Sequence, residues 1–310
     1  MTLQKESAFD PKQTLPLICS KIRRNGLKTK ARRGSSGMPR TPEEQATLDR
    51  FSNIYRKGQL DFMLEMERST CGCDYGGTSW TTREEADRTI GILKLKQGHQ
   101  FLEVGSGSGW PGLYLAKQSG CDVTLTDLPF DGLRIARKRV TKDKLGGECR
   151  ILSADGTALP FRDGCFDAVY HSDVLCCLVE KMKVLRSCRR VVNSKGKMVF
   201  SVIYVMPNLT AADHECAVSG GPPFIDTPAS YIEMLHQAAW DIVDQIDLTN
   251  EYLASIRRHV AGLKTYERNI VETFGEDEAS EMLARKLRTI TALENGFLRR
   301  ELFSVVPTMH

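Results

Sequence analysis

The stretch FLEVGSGSGWPG, residues 101–112, decides how the rest of the chain reads. An apolar run is interrupted by Glu103 and ends in Gly105, Gly107 and Gly109 at alternating positions. Glycines after a strand let the backbone turn sharply and lie against a ligand that a Cβ would exclude. An unpaired acid inside an apolar run is costly, so Glu103 is kept for something other than packing. Gly107, Gly109 and Gly112 also spell G-x-G-x-x-G, and Asp127 follows about 20 residues on, as a dinucleotide fingerprint requires. Taken alone, the loop fits NAD, and what decides the cofactor must come from downstream.

At 310 residues the chain can bury a full core, as one large domain or one domain with a cap. A hydrophobic content of 41% and a charged content of 26% are those of an ordinary globule. No apolar run approaches the roughly 20 residues that cross a bilayer, and the N-terminus lacks the apolar core of a signal peptide. Ten cysteines without such a signal fit a reducing, cytoplasmic location better than a disulfide framework. The net charge of +4 makes no global case for nucleic acid. That charge is concentrated in residues 1–40, which read as a mobile basic tail, with a nucleic-acid arm as the sharper alternative.

Order is expected from Thr41, where Thr-Pro-Glu-Glu supplies an N-cap, a proline at the first helical position and a capping-box acid. Leu48, Phe51, Ile54 and Tyr55 mark one face of that helix, and a second helix covers Leu60 to Met66. The pattern then alternates, with strands expected at 100–104, 122–126, 149–153, 165–171 and 197–204 and helices at 110–118, 130–140 and 173–192. This is the signature of a parallel sheet covered on both faces. A loop is expected over 206–226 and a helix from Thr227-Pro228 to about Ala239. Asp241 to Leu248 reads as a strand, 250–295 as helical throughout, and Phe297 to Val305 as the last strand.

Three further motifs bear on chemistry. Asp127 ends the second strand, where a carboxylate can accept both hydroxyls of a ribose, whichever adenosine cofactor is bound. Ser153-Ala-Asp155-Gly156 ends the third and runs into Leu159-Pro160-Phe161; a carboxylate there can accept an adenine amine, or simply cap the turn. Cys165-Phe-Asp-Ala-Val-Tyr-His171-Ser172-Asp173 closes the fourth strand with a polar cluster.

Together these motifs, in order over about residues 80 to 204, resemble those of class I S-adenosylmethionine-dependent methyltransferases. The Asp155-to-Phe161 segment is similar to that of the enzymes of ubiquinone and menaquinone biosynthesis. Lys195 stands where that family often has a second glycine before strand five, a mild departure at a turn. The resemblance implies a doubly wound, seven-stranded, mostly parallel α/β sheet whose last strand returns antiparallel between strands five and six. It implies a helical lid at 41–98, a cofactor core at 99–205, and cap helices plus strands six and seven at 206–310. S-adenosyl-L-methionine would be held by Trp80, Glu103, Gly105, Ser106, Gly107, Gly109, Asp127, Leu128, Asp155, Gly156 and Ser172. The expected reaction is in-line methyl transfer to a small-molecule acceptor, at a nitrogen, oxygen or carbon atom that the sequence does not choose.

His171 is the expected general base, since an imidazole titrates near neutrality, with a plain hydrogen-bonding role as the alternative. Tyr75 and Trp80, in the glycine-bounded loop before the core, are expected near the sulfonium, or else simply pack the N-terminal helices. Asp213-His214-Glu215-Cys216 holds metal-ligand types, but adjacent residues on one loop rarely converge on one ion, so no metal is expected. Cys165, Cys176 and Cys177 are read as small buried hydrophobes. Two rival readings stay open: an NAD-dependent oxidoreductase, and a non-catalytic S-adenosylmethionine-binding sensor or scaffold. No nucleic-acid or membrane partner is expected, and the oligomeric state stays open, a dimer included.

Overall fold

In the computed structural model, which describes residues 41–309, the alternating pattern forms one seven-stranded sheet. The basic segment 1–40 lies outside the described residues. β1 (Gln100–Val104), β2 (Asp122–Asp127), β3 (Cys149–Ser153), β4 (Phe166–Ser172) and β5 (Val192–Val205) pair in parallel. β7 (Leu298–Pro307) returns antiparallel between β5 and β6 (Trp240–Asp247), which gives the order β3-β2-β1-β4-β5-β7-β6. The reversal of order at β1 and β4 opens a crevice at the carboxyl ends of these strands, where ligands bind in such sheets.

Strand alternation sorts the core into two layers. Phe101, Ala168, Tyr170, Val199 and Leu302 face α3 (Arg83–Leu93), α4 (Gly112–Ser119) and α5 (Phe130–Asp143). Leu102, Val104, Val169, Phe200 and Phe303 face α6 (Lys181–Val191) and α8 (Tyr231–Gln237). The remaining helices are α1 (Pro42–Lys57), α2 (Asp61–Cys71), α7 (Ala211–Gly220), α9 (Thr249–Thr265), α10 (Glu267–Phe274) and α11 (Glu276–Glu294). Lid and cap are joined: Met66 of α2 packs with Leu263 and Ile270 in a third, smaller core. Gly262 lets α9 come so close that a Cβ there would stand 3.1 Å from Met66.

Several boundaries differ from expectation for local reasons. The capping box at Thr41 and Glu44 forms as read. The expected loop over 206–226 contains α7, started by Thr210, whose hydroxyl accepts from the Asp213 amide. The helix expected over 173–192 is instead a 3-10 turn at Leu175–Cys177 followed by α6, because Asp173 takes a left-handed conformation (φ 53°). The helix after Thr227-Pro228 starts only at Tyr231, where Ser230 and Glu233 form a second capping box. The run 250–295 is three helices, broken at Tyr266 and at Gly275 (φ 89°).

The last strand carries a fully buried cation. Arg300 donates from Nη1 and Nη2 to both oxygens of Glu85 in α3 (2.7 and 3.0 Å), from Nε to Asp173 (3.0 Å) and from Nη2 to Ser201 Oγ in β5 (2.9 Å). Burial pushes Glu85 up and the guanidinium pulls it down, while the two carboxylates hold Arg300 firmly protonated. Removing one partner of such a cluster strands the others. Arg300→Met is therefore expected to cost about 3–5 kcal/mol in urea unfolding at neutral pH. Without Arg300 the folded-state carboxyl of Glu85 sits well above its unfolded value, so the penalty is full at neutral pH. It should fade as the pH falls towards the unfolded value; a deficit independent of pH would contradict this account.

Candidate functional site

The turn after β1 is built from the backbone. The amides of Gly105 and Ser106 both donate to Thr126 O (2.8 and 3.0 Å), which folds the loop over the end of β2. Gly105, Gly107 and Gly109 all have positive φ (72°, 50° and 98°), which explains their spacing. Gly132 lets α5 abut the loop, since a Cβ there would meet the Gly107 carbonyl carbon at 2.8 Å. Glu103 lies behind the loop, beneath the first turn of α4: Oε1 accepts from the Gly112 amide (3.2 Å), and a Cβ on residue 112 would stand 2.0 Å from Oε2. Burial pushes its carboxyl well up, with one amide to oppose this. Gly112, which completes the dinucleotide pattern in the sequence, is thus required by Glu103.

Asp127 and Asp155 end neighbouring strands. Asp127 accepts from the Gly107 amide through Oδ2 (2.6 Å) and from the Leu128 amide through Oδ1 (2.7 Å). Each oxygen keeps a lone pair, enough for the two hydroxyls of a ribose. Burial raises this carboxyl to about 6, against the two amides that favour its charge. Asp155 caps the turn at Gly156–Ala158, its Oδ1 accepting from the amide and hydroxyl of Thr157 (2.8 and 2.7 Å), and Oδ2 stays uncommitted. Leu159 anchors the turn in the core, while Arg190 binds the carbonyls of Leu159 and Phe161 (2.5 and 2.6 Å). Leu128 and Gly156 follow directly on the two acids. The hydroxyls of Ser106 and Ser108 are buried without a partner among the described residues. A polar group lying along the loop would find them there, and this donor set fits an adenosine cofactor.

At the end of β4 the hydroxyls gather. Ser172 Oγ lies 2.7 Å from Thr81 Oγ1, 3.2 Å from Ser79 Oγ and 3.2 Å from Ser201 Oγ. Ser172 is therefore at the crevice, tied to the lid loop. His171 is not. Alternation sends it to the opposite face, fully buried and stacked on Phe200 (ring centroids 4.8 Å), both nitrogens unpartnered among the described residues. Burial drives its imidazole down to about 3, so it stays neutral and has no path to a substrate proton. Nor does Tyr75 reach the crevice: its hydroxyl donates to Asp143 (3.0 Å) and its ring packs on Trp110 and under Arg139 (3.7 Å), behind the glycine loop. Trp80 lies farther out, against Tyr252 and His259 of α9.

Sequence reasoning missed Tyr55. It appears in the sequence as one of four apolar positions on α1, yet it is buried with its hydroxyl above the glycine loop, where a Cβ on Gly107 would meet it at 2.7 Å. Burial beside Asp127 pushes its phenol up. No spacing rule reports that a helix about 50 residues upstream will cross this loop. Asp213, His214, Glu215 and Cys216 lie on α7, with His214 bonded to Asp226 (2.9 Å); among the described residues no cluster of metal-ligand types gathers.

Known proteins agree with this geometry. A family model described as a methyltransferase domain matches residues 102–200. The methyltransferase GfsG of Streptomyces halstedii is 27% identical over 165 residues, which are 51% of this chain and 59% of that protein. Residues 102–200 thus resemble the methyltransferase domain of the class I S-adenosylmethionine-dependent enzymes. The chain spans under two thirds of the length of this relative. The phosphoethanolamine N-methyltransferase 2 of Haemonchus contortus, solved with phosphomonomethylethanolamine and S-adenosylhomocysteine, superposes with a TM-score of 0.66 at 16% identity, over 84% of this chain and 60% of that one. The [4+2]-cyclase SpnF superposes with a TM-score of 0.71 at 17% identity, over 89% of this chain and all of that one. One methyltransferase fold thus carries differently named activities, so the site, not the fold, must argue for the reaction.

Two outcomes follow for this site. Asp127 accepts ribose hydroxyls best as a carboxylate. The affinity for S-adenosylhomocysteine in calorimetry should be full above pH 6 or so and fall about tenfold per unit below it, a dependence that Asp127→Asn should flatten. Gly107→Ala combines a left-handed backbone with a contact on Tyr55, and should weaken that affinity by about tenfold or more. If Gly107→Ala binds as well as the parent, the loop is not the cofactor cradle.

Proposed function

We propose that the chain transfers the methyl group of S-adenosyl-L-methionine to a small-molecule acceptor. The observation that carries this reading is the convergence, at one sheet edge, of the positive-φ glycine loop, Asp127 with a free lone pair on each oxygen, and Asp155 with Oδ2 uncommitted. The third of these belongs to no dinucleotide fingerprint. When bound, S-adenosylmethionine supplies a methyl group already activated by its sulfonium. The protein's work is then to orient and to exclude water. Asp127 would hold the ribose, Asp155 the adenine amine, and the loop with Ser106 the amino-acid end. Tyr55 closes the loop side, and the Ser79–Thr81–Ser172 hydroxyls fix the strand end beneath the acceptor. His171, buried and neutral on the far face, is not placed to take a proton at the reacting atom.

The compartment we infer is the cytoplasm, supported by the free thiols of Cys71, Cys73, Cys121, Cys149, Cys176, Cys177, Cys188 and Cys216. No helix among these residues is long and apolar enough to cross a membrane. The partner we assign is the small-molecule acceptor alone, with no nucleic acid.

Calorimetric titration with S-adenosylmethionine, S-adenosylhomocysteine and NAD tests the reading. The first two should saturate and NAD should not bind. Asp155→Ala should weaken the first two about tenfold, the order of one hydrogen bond to a charged group. Binding of NAD alone would sink the proposal.

A further inference from the structure

The cap brings two unpaired cations over the crevice. Arg285 and Lys286 are adjacent on α11 and half-buried. Lys286 Nζ stands 4.5 Å from the centroid of the Trp80 ring, whose other edges meet Tyr252 and His259 of α9 (5.4 and 5.5 Å). Arg285 donates to the Gly221 carbonyl (2.7 Å), which ties α11 to the end of α7. Neither makes an ion pair among the described residues. The nearest acid on the helix, Glu281, is taken by Arg288 (2.5 Å).

Through Trp80, Lys286 reaches the lid loop, whose Ser79 and Thr81 bond Ser172 at the end of β4. Trp80 follows Ser79, which is bonded to Ser172 at the strand end. The lid loop beside the strand end thus carries an aromatic wall with a cation set against it.

A half-buried ammonium without an acid is unfavourable, and Trp80 offsets only part of that. Like-charged neighbours add to the cost. Burial, Arg285 and Arg50 of α1 together push Lys286 down to about 7, whereas His259, held near 3 by burial, adds no charge. An anion from outside the chain would remove the cost while keeping the proton on Lys286. We propose that the cap recognises the methyl acceptor by an anionic group, a carboxylate or a phosphate, set against Lys286 and Arg285, with Trp80 and Tyr252 packing on its apolar part. This rests on the methyl-transfer reading of the same cleft and assigns its acceptor a chemical class.

The full chain would be titrated by calorimetry with benzoate, phenyl phosphate and neutral benzamide, each with and without saturating S-adenosylhomocysteine. At least one anion should bind, and benzamide at least tenfold more weakly; which anion binds tells carboxylate from phosphate. Lys286→Met should weaken the anion about tenfold or more and leave S-adenosylhomocysteine affinity and the melting temperature unchanged, while Lys286→Arg retains the anion. Benzamide binding as tightly as the anions, or Lys286→Met leaving anion affinity intact, would overturn the proposal. So would a loss of S-adenosylhomocysteine affinity in Lys286→Met, which would assign the cations to the cofactor's own carboxylate. Failure of the parent protein to bind S-adenosylhomocysteine at all defeats the methyl-transfer reading instead, and the anion arms still report on the cation pair.

Discussion

A single guanidinium sets the constraint on which the rest depends. Arg300 lies near the start of the antiparallel last strand, paired with Ile203 of β5, and is removed from water almost entirely. A charge there is tolerable only if the segments carrying its partners arrive together. Glu85 comes from a lid helix, Asp173 from the turn after β4 and Ser201 from the next strand. The lid, the last strand and the site loop are thereby fixed as one unit. The left-handed Asp173 follows from the same bond, and its conformation turns the chain away from helix at the point where the crevice needs room.

Around that centre the crevice divides by charge. The strand ends present Asp127 and Asp155, which suit the hydroxyls and amine of an adenosine. The roof presents Arg285 and Lys286. Between them lie hydroxyls and aromatic rings, groups that hold a ligand without setting its charge. Helices α1, α9 and α11 form the roof, and all three depend on tertiary packing: α9 on α2 through Met66 and Gly262, and α11 on α7 through the Thr289 hydroxyl and the Gly220 carbonyl (2.5 Å).

How far the sequence could be read varied with the range of the interaction behind each feature. The alternation of strands and helices and the Thr41 capping box were legible because periodicity and capping act within a few residues, whereas the place of the antiparallel last strand was implied by the family resemblance alone. The glycine loop was legible for the same reason: positive φ at alternating positions is a local demand. The expected loop at 206–226 hid a helix because its start rests on Thr210 and one amide, a signal weaker than the Gly-Gly-Pro-Pro that follows. His171 was misleading because a period of two decides its face only once the core side of β4 is known.

The sequence by itself therefore determined the strands, the helices and the acids that follow the strand ends, while the strand order entered through the family resemblance. Local backbone chemistry and hydrophobic period specify the elements without reference to distant residues. Only the tertiary structure decided what stands over the crevice: Tyr55 on the glycine loop, Lys286 on Trp80, and His171 turned away beneath the sheet. Each depends on helices far apart in the chain meeting at one place, and no spacing along the chain encodes a meeting that burial of distant surfaces brings about.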